Sequence, residues 1–228
     1  MFRRAWREML PSSLPGATTR GWVTAACGAW LGISLTGFLT AAIVGSDGRT
    51  PLLMIPLAAS SVILFALPSS PLARPWAIVG GHVLSAIVGT LVAHHVANLV
   101  VACGLAVALS IIVMAAMRAL HPPGGSTALM AVIGGPTVTA ASYHYALVPV
   151  GVNAVLLVAV GVLFHRWVSR HPYPPIQRAD MPSTGFEILA DDIDAAVSRY
   201  GEALDIDRKD VEVLVREVER LTRLRRQD

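Results

Sequence analysis

The chain has 228 residues, 54% of them hydrophobic and 14% charged, with a mean hydropathy of +0.59. A water-soluble globular domain seldom reaches that value, so an ordinary soluble fold is excluded and a lipid-embedded chain is expected. The net charge of +3 belongs to arginines that flank apolar stretches, and no nucleic-acid partner is expected from it.

Residues 1–20 read as a short cytoplasmic segment carrying Arg3, Arg4, Arg7 and Arg20. No signal peptide fits, because the first apolar stretch is longer than a signal h-region and lacks a small-residue cleavage pattern. Six apolar segments follow: Gly21–Val44, Pro51–Pro68, Trp76–Val96, Leu99–Met117, Gly124–Ser142 and Tyr145–Trp167. A bilayer core about 30 Å thick takes roughly 20 apolar residues per helix. The first, third, fourth and sixth segments meet that requirement, whereas the second and fifth are short or carry Pro and Gly inside. Between Gly21 and His165 the only charged residues are Asp47, Arg49, Arg74 and Arg118. With the amino terminus in the cytoplasm, Arg74, Arg118, Arg166 and Arg170 join the N-terminal arginines inside and only Arg49 lies outside, as the positive-inside rule requires of six spans. Trp22, Trp76, Tyr143, Tyr145 and Trp167 stand near segment ends, where interfacial aromatics belong. The two cysteines, Cys27 and Cys103, lie in apolar segments without a C-x-x-C and read as packing residues. No metal site, cofactor or catalytic group is expected.

The two weak segments resemble each other. "PLAASSVIL" from Pro56 aligns with "PPGGSTALM" from Pro122, so that Pro56 meets Pro122, Ala58 and Ala59 meet Gly124 and Gly125, Ser60 meets Ser126, and Ser61 meets Thr127. Each is the second member of a trio of spans. Two successive trios insert with opposite topology because three is odd, so the similarity implies two inverted three-helix repeats with broken second and fifth helices. Paired, Pro/Gly-interrupted segments in corresponding halves are a known pointer to a transport site near the midplane. Proline breaks the preceding helix, small residues let a ligand approach the main chain, and first-turn N–H groups attract anions. The expected ligands of a small inorganic anion are therefore the Ala58–Ser61 and Gly124–Thr127 amides with the hydroxyls of Ser60, Ser61, Ser126 and Thr127. No Asp or Glu falls within the spans, so a cation transporter is disfavoured and histidines are the groups able to change charge there.

The run "LHPPGGSTAL" (Leu120–Leu129), with "LFALPSSPLARPWAIVGGHVLSAIVG" (Leu64–Gly89), resembles the HPP family of small integral membrane proteins over roughly Gly21 to Pro175. The resemblance implies membrane transport, with nitrite as the substrate associated with similar proteins of cyanobacteria and chloroplasts. It carries over His121, Pro122, Pro123, Gly124, Gly125, Ser126 and Thr127 as motif positions and His82 as the histidine of the third span, with Asn153 in the matching region of the sixth. His82 and Asn153 are expected beside the site. His121 has three open roles: contacting substrate, titrating, or capping the broken helix. Ala58 departs from an expected glycine, and Arg-Pro-Trp stands where similar proteins have Gln-Pro-Arg.

The membrane domain is expected to span 21–170. A Pro-rich linker, 171–185, leads to a soluble helical tail, 186–228, in which Val211, Leu214, Val218 and Leu221 form one apolar stripe. Two heptads are short for an independent coiled coil, and the stripe could pair two chains into a homodimer, dock on the membrane domain or close a small hairpin. Some similar proteins continue from such a segment into paired nucleotide-sensing domains of the cystathionine-β-synthase type. The expected setting is a bacterial inner membrane, with both termini cytoplasmic and the lipid bilayer as surroundings. The leading function is anion transport, as carrier or channel. The alternatives are a membrane-anchored regulatory or sensor protein signalling through its tail, and an intramembrane hydrolase using His121 or His82 with Ser126, which lacks G-x-S-x-G, H-E-x-x-H and a buried acid.

Overall fold

The computed structural model describes residues 19–45 and 53–174, with Val215 beyond them. The N-terminal arginines Arg3, Arg4 and Arg7, the loop residues Asp47 and Arg49, and the tail stripe Val211, Leu214, Val218 and Leu221 lie outside the described residues. Val23–Ile176 forms one compact unit, and the description concerns that unit. The regular structure among the described residues is helical throughout, with no strand.

Helix α1, Thr19–Val44, has 26 residues, about 39 Å at 1.5 Å per residue, and can cross a bilayer with room to tilt. Its buried residues are Gly28, Gly32, Thr36 and Thr40, one every fourth position, which places them in a single stripe. Trp30, Phe38 and Ile43 on its other faces are exposed, as lipid-facing side chains are. A Cβ at Gly28 or Gly32 would come within 2.5 or 2.6 Å of the Phe65 ring. The two glycines thus leave a trough that Phe65 fills, and Phe164 meets that ring edge-on at 5.3 Å between centroids, a favourable aromatic geometry.

Helix α2, Leu57–Ala66, has only 10 residues, roughly 15 Å, or half the hydrocarbon thickness. Pro56 opens it, and it stops at Leu67 because the residue before Pro68 is held out of the helical region. A single 3₁₀ turn, Pro71–Ala73, follows, capped by Ser70, whose hydroxyl accepts from the Leu72 N–H at 3.2 Å. Helix α3, Pro75–His95, starts on a proline at a position whose missing N–H is harmless. Helix α4, Leu99–Ala116, is capped by Asn98 accepting from the Val101 N–H at 3.1 Å.

The hairpin from α4 into the next helix is tight. Arg118 adopts φ +53°, its N–H donates to Ala115 O at 3.1 Å, and the Ala119 N–H donates to Met114 O at 2.8 Å. These two bonds around a left-handed residue are a Schellman C-cap, with arginine where glycine is commonest. Helix α5, Pro122–Ile133, therefore begins directly over the end of α4. It ends at Gly134, and Gly135 at φ +84° turns the chain into the short helix α6, Pro136–Ala141. The last apolar segment also contains a break: Val148 takes φ −132° and ψ 117° before Pro149 within the Ala146–Gly151 turn, because proline supplies no N–H and clashes with the preceding turn. Helix α7, Val152–Phe164, and a wide turn, His165–Ser169, complete that run.

Four stretches are long and apolar enough to cross a membrane: Thr19–Val44, Pro75–His95, Leu99–Ala116 and Ala146–Ser169. These are the expected first, third, fourth and sixth segments, and the second and fifth contain the short helices α2 and α5. The sixth differs from expectation in its Val148 interruption, and the fifth in starting at Pro122 and stopping at Ile133. At the start of the expected linker the Tyr173 hydroxyl donates to Ala73 O at 2.8 Å and His171 Nε2 lies 2.6 Å from Ser69 Oγ, and residues 175–185 lie outside the described residues. The chain up to Tyr173 is fastened to the 3₁₀-turn loop.

Helix α3 is central, packing on α4, α5, α7 and both turns that flank it in space. Small residues let backbones meet there, as in other membrane bundles. Gly81 faces Ala119 O at 2.9 Å from a notional Cβ, and Gly124 faces Gly81 O at the same distance. A Cβ at Gly89 would collide with Ala128 O and stand 2.8 Å from Ala131 Cβ, whereas Gly104 on α4 has nothing within 4 Å. Gly89→Ala should therefore destabilise the detergent-solubilised protein by about 1–3 kcal/mol through overpacking. Gly104→Ala should stabilise it by about 0.5–1 kcal/mol through helix propensity. Unfolding of the two variants in a denaturing detergent titration checks the opposite signs.

Candidate functional site

The two short helices meet at His82. Ser60 sits in the first turn of α2 and Thr127 in the second turn of α5, each four residues after a proline, Pro56 and Pro123. Ser60 Oγ lies 2.7 Å from His82 Nε2, and Thr127 Oγ1 lies 2.6 Å from His82 Nδ1. Ser60 Oγ is also 2.8 Å from His121 Nε2, and His121 Nδ1 is 2.9 Å from Leu72 O. The two imidazole rings stand edge to face at 5.0 Å between centroids. All four side chains have zero accessible surface. The result is a polar thread from α5 through α3 and α2 to the 3₁₀ turn, inside an apolar bundle.

The thread exists because each segment enters it through a break. Pro56 and the Pro122–Pro123 pair start the two short helices, and hydroxyls four residues after Pro56 and Pro123 reach His82. The tight Schellman hairpin holds His121 at the head of α5, and Gly81, which a Cβ would bring to 2.6 Å from His121 Cβ, lets its ring approach α3. Ser85 Oγ, one turn along α3 from His82, is buried with no hydrogen-bond partner, as is Thr36 Oγ1.

Of the residues expected at the site, Ser60, His82, His121 and Thr127 are brought together. Gly124 is at the contact too, but as a packing glycine: a Cβ there would meet Met114 Sδ at 2.7 Å and Ser85 Oγ at 2.8 Å. Ser61 is buried and its hydroxyl donates to Ala58 O at 2.7 Å. Ala58, Ala59 and Ser126 are exposed on their helices, and Gly125 is half-buried with Val107 as its near neighbour. Asn153 lies in a second polar contact, accepting from the Met54 N–H at 3.1 Å and donating to Thr40 Oγ1 at 3.0 Å. Asn153 thereby ties α7 to α1 and to the chain entering α2.

Three expectations change. The first-turn donors are not all bare: the Leu57 N–H donates to Met54 O at 3.0 Å, that of Ala58 to Ile55 O at 3.1 Å, that of Ser60 to Pro56 O at 3.3 Å, and that of Gly124 to His121 O at 2.8 Å. Each short helix is entered through a turn that puts carbonyls beneath those amides. His121 occupies the N-cap position of α5 without a side-chain capping bond, because its ring nitrogens are engaged by Leu72 and Ser60. The two hydroxyls that reach His82 stand four residues after a proline, Ser60 after Pro56 and Thr127 after Pro123, a pairing one residue further along than the sequence alignment. That register is the one in which both hydroxyls reach the same histidine.

Sequence reasoning missed Leu72, Ser85, Thr36, Thr40 and His165. The every-fourth pattern of Gly28, Gly32, Thr36 and Thr40, and of Gly81, Ser85 and Gly89, was available as a packing-face signal. His165 is buried after α7, with Nε2 at 2.9 Å from Leu64 O and Nδ1 at 2.8 Å from Ser169 Oγ, and its apolar context alone marked it as internal. A separate pocket of about 200 Å³ opens beside Val44, Val138, Tyr145 and the Val148 break. It shares no lining residue with the His82 thread. Among the described residues no group of three or more His, Cys, Asp or Glu is arranged to hold a metal ion.

Two transmembrane proteins of Dictyostelium discoideum are similar: one is 35% identical over 169 residues, covering 71% of this chain and 56% of that protein. The other is 34% identical over 153 residues, covering 64% and 49%. The chain thus spans about half the length of the curated relatives it matches. No solved structure matches it significantly. The family described as "HPP, transmembrane region" matches residues 14–174, which include α1 to α7 and every residue of the His82 thread, and the chain belongs to that family.

Proposed function

We propose that the protein carries a small inorganic anion, nitrite first among the substrates to be tested, across a bacterial inner membrane. The supporting observation is that Ser60 and Thr127, on two broken helices, converge on one histidine in a fully buried centre. Those partners include no Asp, Glu, Lys or Arg. Polar groups inside a bilayer are expensive and are retained where a path or a ligand uses them. Once the thread opens, its hydroxyls and neutral imidazoles become donors for a singly charged anion, without a permanent cation that would trap it. Ser85 Oγ, buried beside Gly124 without a partner, supplies a further donor. In this reading α2 and α5 are the interrupted members of two inverted three-span repeats, six spans in all, with both termini cytoplasmic. Rocking of one trio against the other, or opening of a pore between them, exposes the centre to each side in turn. Pairing of two chains, in part through the tail stripe, belongs to the same proposal.

The test is uptake by purified protein in liposomes, run across nitrite, nitrate, formate, bicarbonate and chloride. Nitrite uptake above protein-free vesicles supports the reading, and saturation with trans-stimulation assigns a carrier rather than a channel. Ser60→Ala and Thr127→Val should each lower uptake roughly tenfold or more, since an unsatisfied buried group costs about 1–3 kcal/mol. Ser126→Ala, at an exposed position, should stay near wild type. Loss in Ser126→Ala with full activity in Thr127→Val would move the site to the register read from sequence. Removal of residues 180–228 with uptake retained makes the tail accessory, whereas its loss together with uptake favours the regulatory reading.

A hydrolase is the second reading, and one observation favours it: Ser60, His121 and the Leu72 carbonyl lie in a nucleophile, base and orienting-group sequence at 2.8 and 2.9 Å. A serine-reactive fluorophosphonate decides. Labelling that Ser60→Ala abolishes supports the enzyme, and unlabelled protein that transports an anion removes it.

A further inference from the structure

The bonding pattern of the thread has one solution when both histidines are neutral. The Leu72 carbonyl can only accept, so His121 Nδ1 carries the proton and donates to it at 2.9 Å. His121 Nε2 is then a bare acceptor, and the donor beside it is the Ser60 hydroxyl at 2.8 Å. A serine has one proton to donate, so Ser60 cannot also donate to His82 Nε2 at 2.7 Å. His82 therefore donates from Nε2 to Ser60 Oγ, its Nδ1 is bare, and Thr127 donates to that nitrogen at 2.6 Å. Every bond points the same way, from α5 to the 3₁₀ turn.

From this geometry, and resting on the anion-transport reading, we propose that the thread is a binding site for one proton, taken up with each anion as its co-substrate. Addition of a proton at His82 Nδ1 costs no hydrogen bond, because the Thr127 hydroxyl can turn to Pro123 O, 3.3 Å away. His82 then donates from both nitrogens, to Thr127 and to Ser60. The proton passes on by a balanced shift: the His82 Nε2–H bond breaks as Ser60 Oγ gains that proton, and Ser60 releases its own to His121 Nε2. This leaves His82 neutral in the opposite tautomer, His121 doubly protonated, and all bonds made with heavy atoms unmoved. A second proton would leave Ser60 accepting from both rings and donating to Pro56 O at 3.4 Å, with two cations 5.0 Å apart. The capacity is one.

The charge of that proton needs a partner. The elements packed against α3 and His121 carry Arg74 beside the α3 start, Cys103 on α4, Tyr145 before the Val148 break, and His165 after α7. His94 and His95 lie at the far end of α3, and Arg118 is exposed in the hairpin. None of these is a bonded or ring partner of His82 or His121, and the described residues contain no Asp or Glu. A buried imidazolium without a counter-charge is unfavourable in low dielectric. The arriving anion supplies it, and the proton in turn replaces the missing cation of the anion site. Each favours the other's entry, which is coupling in the thermodynamic sense.

Two measurements test this. Nitrogen-15 NMR of histidine-labelled protein at alkaline pH should show His82 as the Nε2–H tautomer and His121 as the Nδ1–H tautomer, assigned by His82→Gln and His121→Gln; identical tautomers overturn the thread. Liposomes containing the protein and a trapped pH dye should show nitrite entry with acidification of the lumen. An inward proton gradient should raise accumulation about tenfold per pH unit, as one-to-one coupling requires, above the passive entry of protein-free vesicles. Ser60→Ala should abolish the gradient effect and Ser60→Thr should restore it. Anion uptake indifferent to the gradient overturns the coupling while leaving the transport reading in place. Absence of any uptake in the wild type overturns the transport reading and the coupling that rests on it.

Discussion

A hydroxyl has one proton to give, and in this protein Ser60 stands between two imidazole nitrogens in a place water does not reach. In a bilayer every polar group must find its partner within the protein, so the state of each ring is decided by its neighbour rather than by solvent. The Leu72 carbonyl, able only to accept, sets the direction for the whole thread. Helix breaks, glycines and the α4–α5 hairpin are arranged to bring four short polar side chains to that carbonyl and to each other.

The geometry also explains why the interruptions come in pairs. An unbroken helix through α2 or α5 would present its hydroxyls to its own backbone, as Ser61 does with Ala58 O. Starting each helix at a proline puts the residue four positions later against the neighbouring α3, where its hydroxyl meets His82 as well as the proline carbonyl of its own helix. Pro56 with Ser60, and Pro123 with Thr127, are two copies of that arrangement meeting on the two nitrogens of one ring. Small residues on α3, Gly81 and Gly89 among them, then set how close the partners come, since a single added Cβ at Gly89 would reach the α5 backbone.

Much of the fold was legible in the sequence because lipid simplifies the code. Length and apolar content alone locate the spans, and Pro and Gly mark where they fail. The membrane class, the four long helices and the two short ones are visible in that way, and Ser60 and Thr127 follow from the matched Pro, small, Ser/Thr pattern, whereas His82 and His121 came only from the family resemblance. The Val148 break was less legible, since one Pro inside an otherwise strong segment carries little weight beside its hydropathy. Asn153 was expected near the site by analogy between the third and sixth spans, and its amide bonds include the Met54 N–H and Thr40 Oγ1. Analogy of position does not specify which face a residue presents.

By itself, then, the sequence determined where the apolar chain is interrupted and which residue types stand at the interruptions, because backbone breaking by proline and burial of apolar surface are local properties. It could not decide which donors stay open. Ala58, Ser60 and Gly124 pass their N–H groups to carbonyls of the turns that enter each helix, and those turns depend on how neighbouring helices pack. Nor could it decide whether Ser126 or Thr127 faces inward, since a shift of one residue rotates a helix position by about 100°. Tertiary structure chose Thr127, turned the His121 ring away from a capping bond toward Leu72, and joined residues from three helices and a loop into one line of hydrogen bonds. Such a line has no local signature: its members lie far apart in the chain, and only packing at fixed depth brings each acceptor within reach of the one donor it needs.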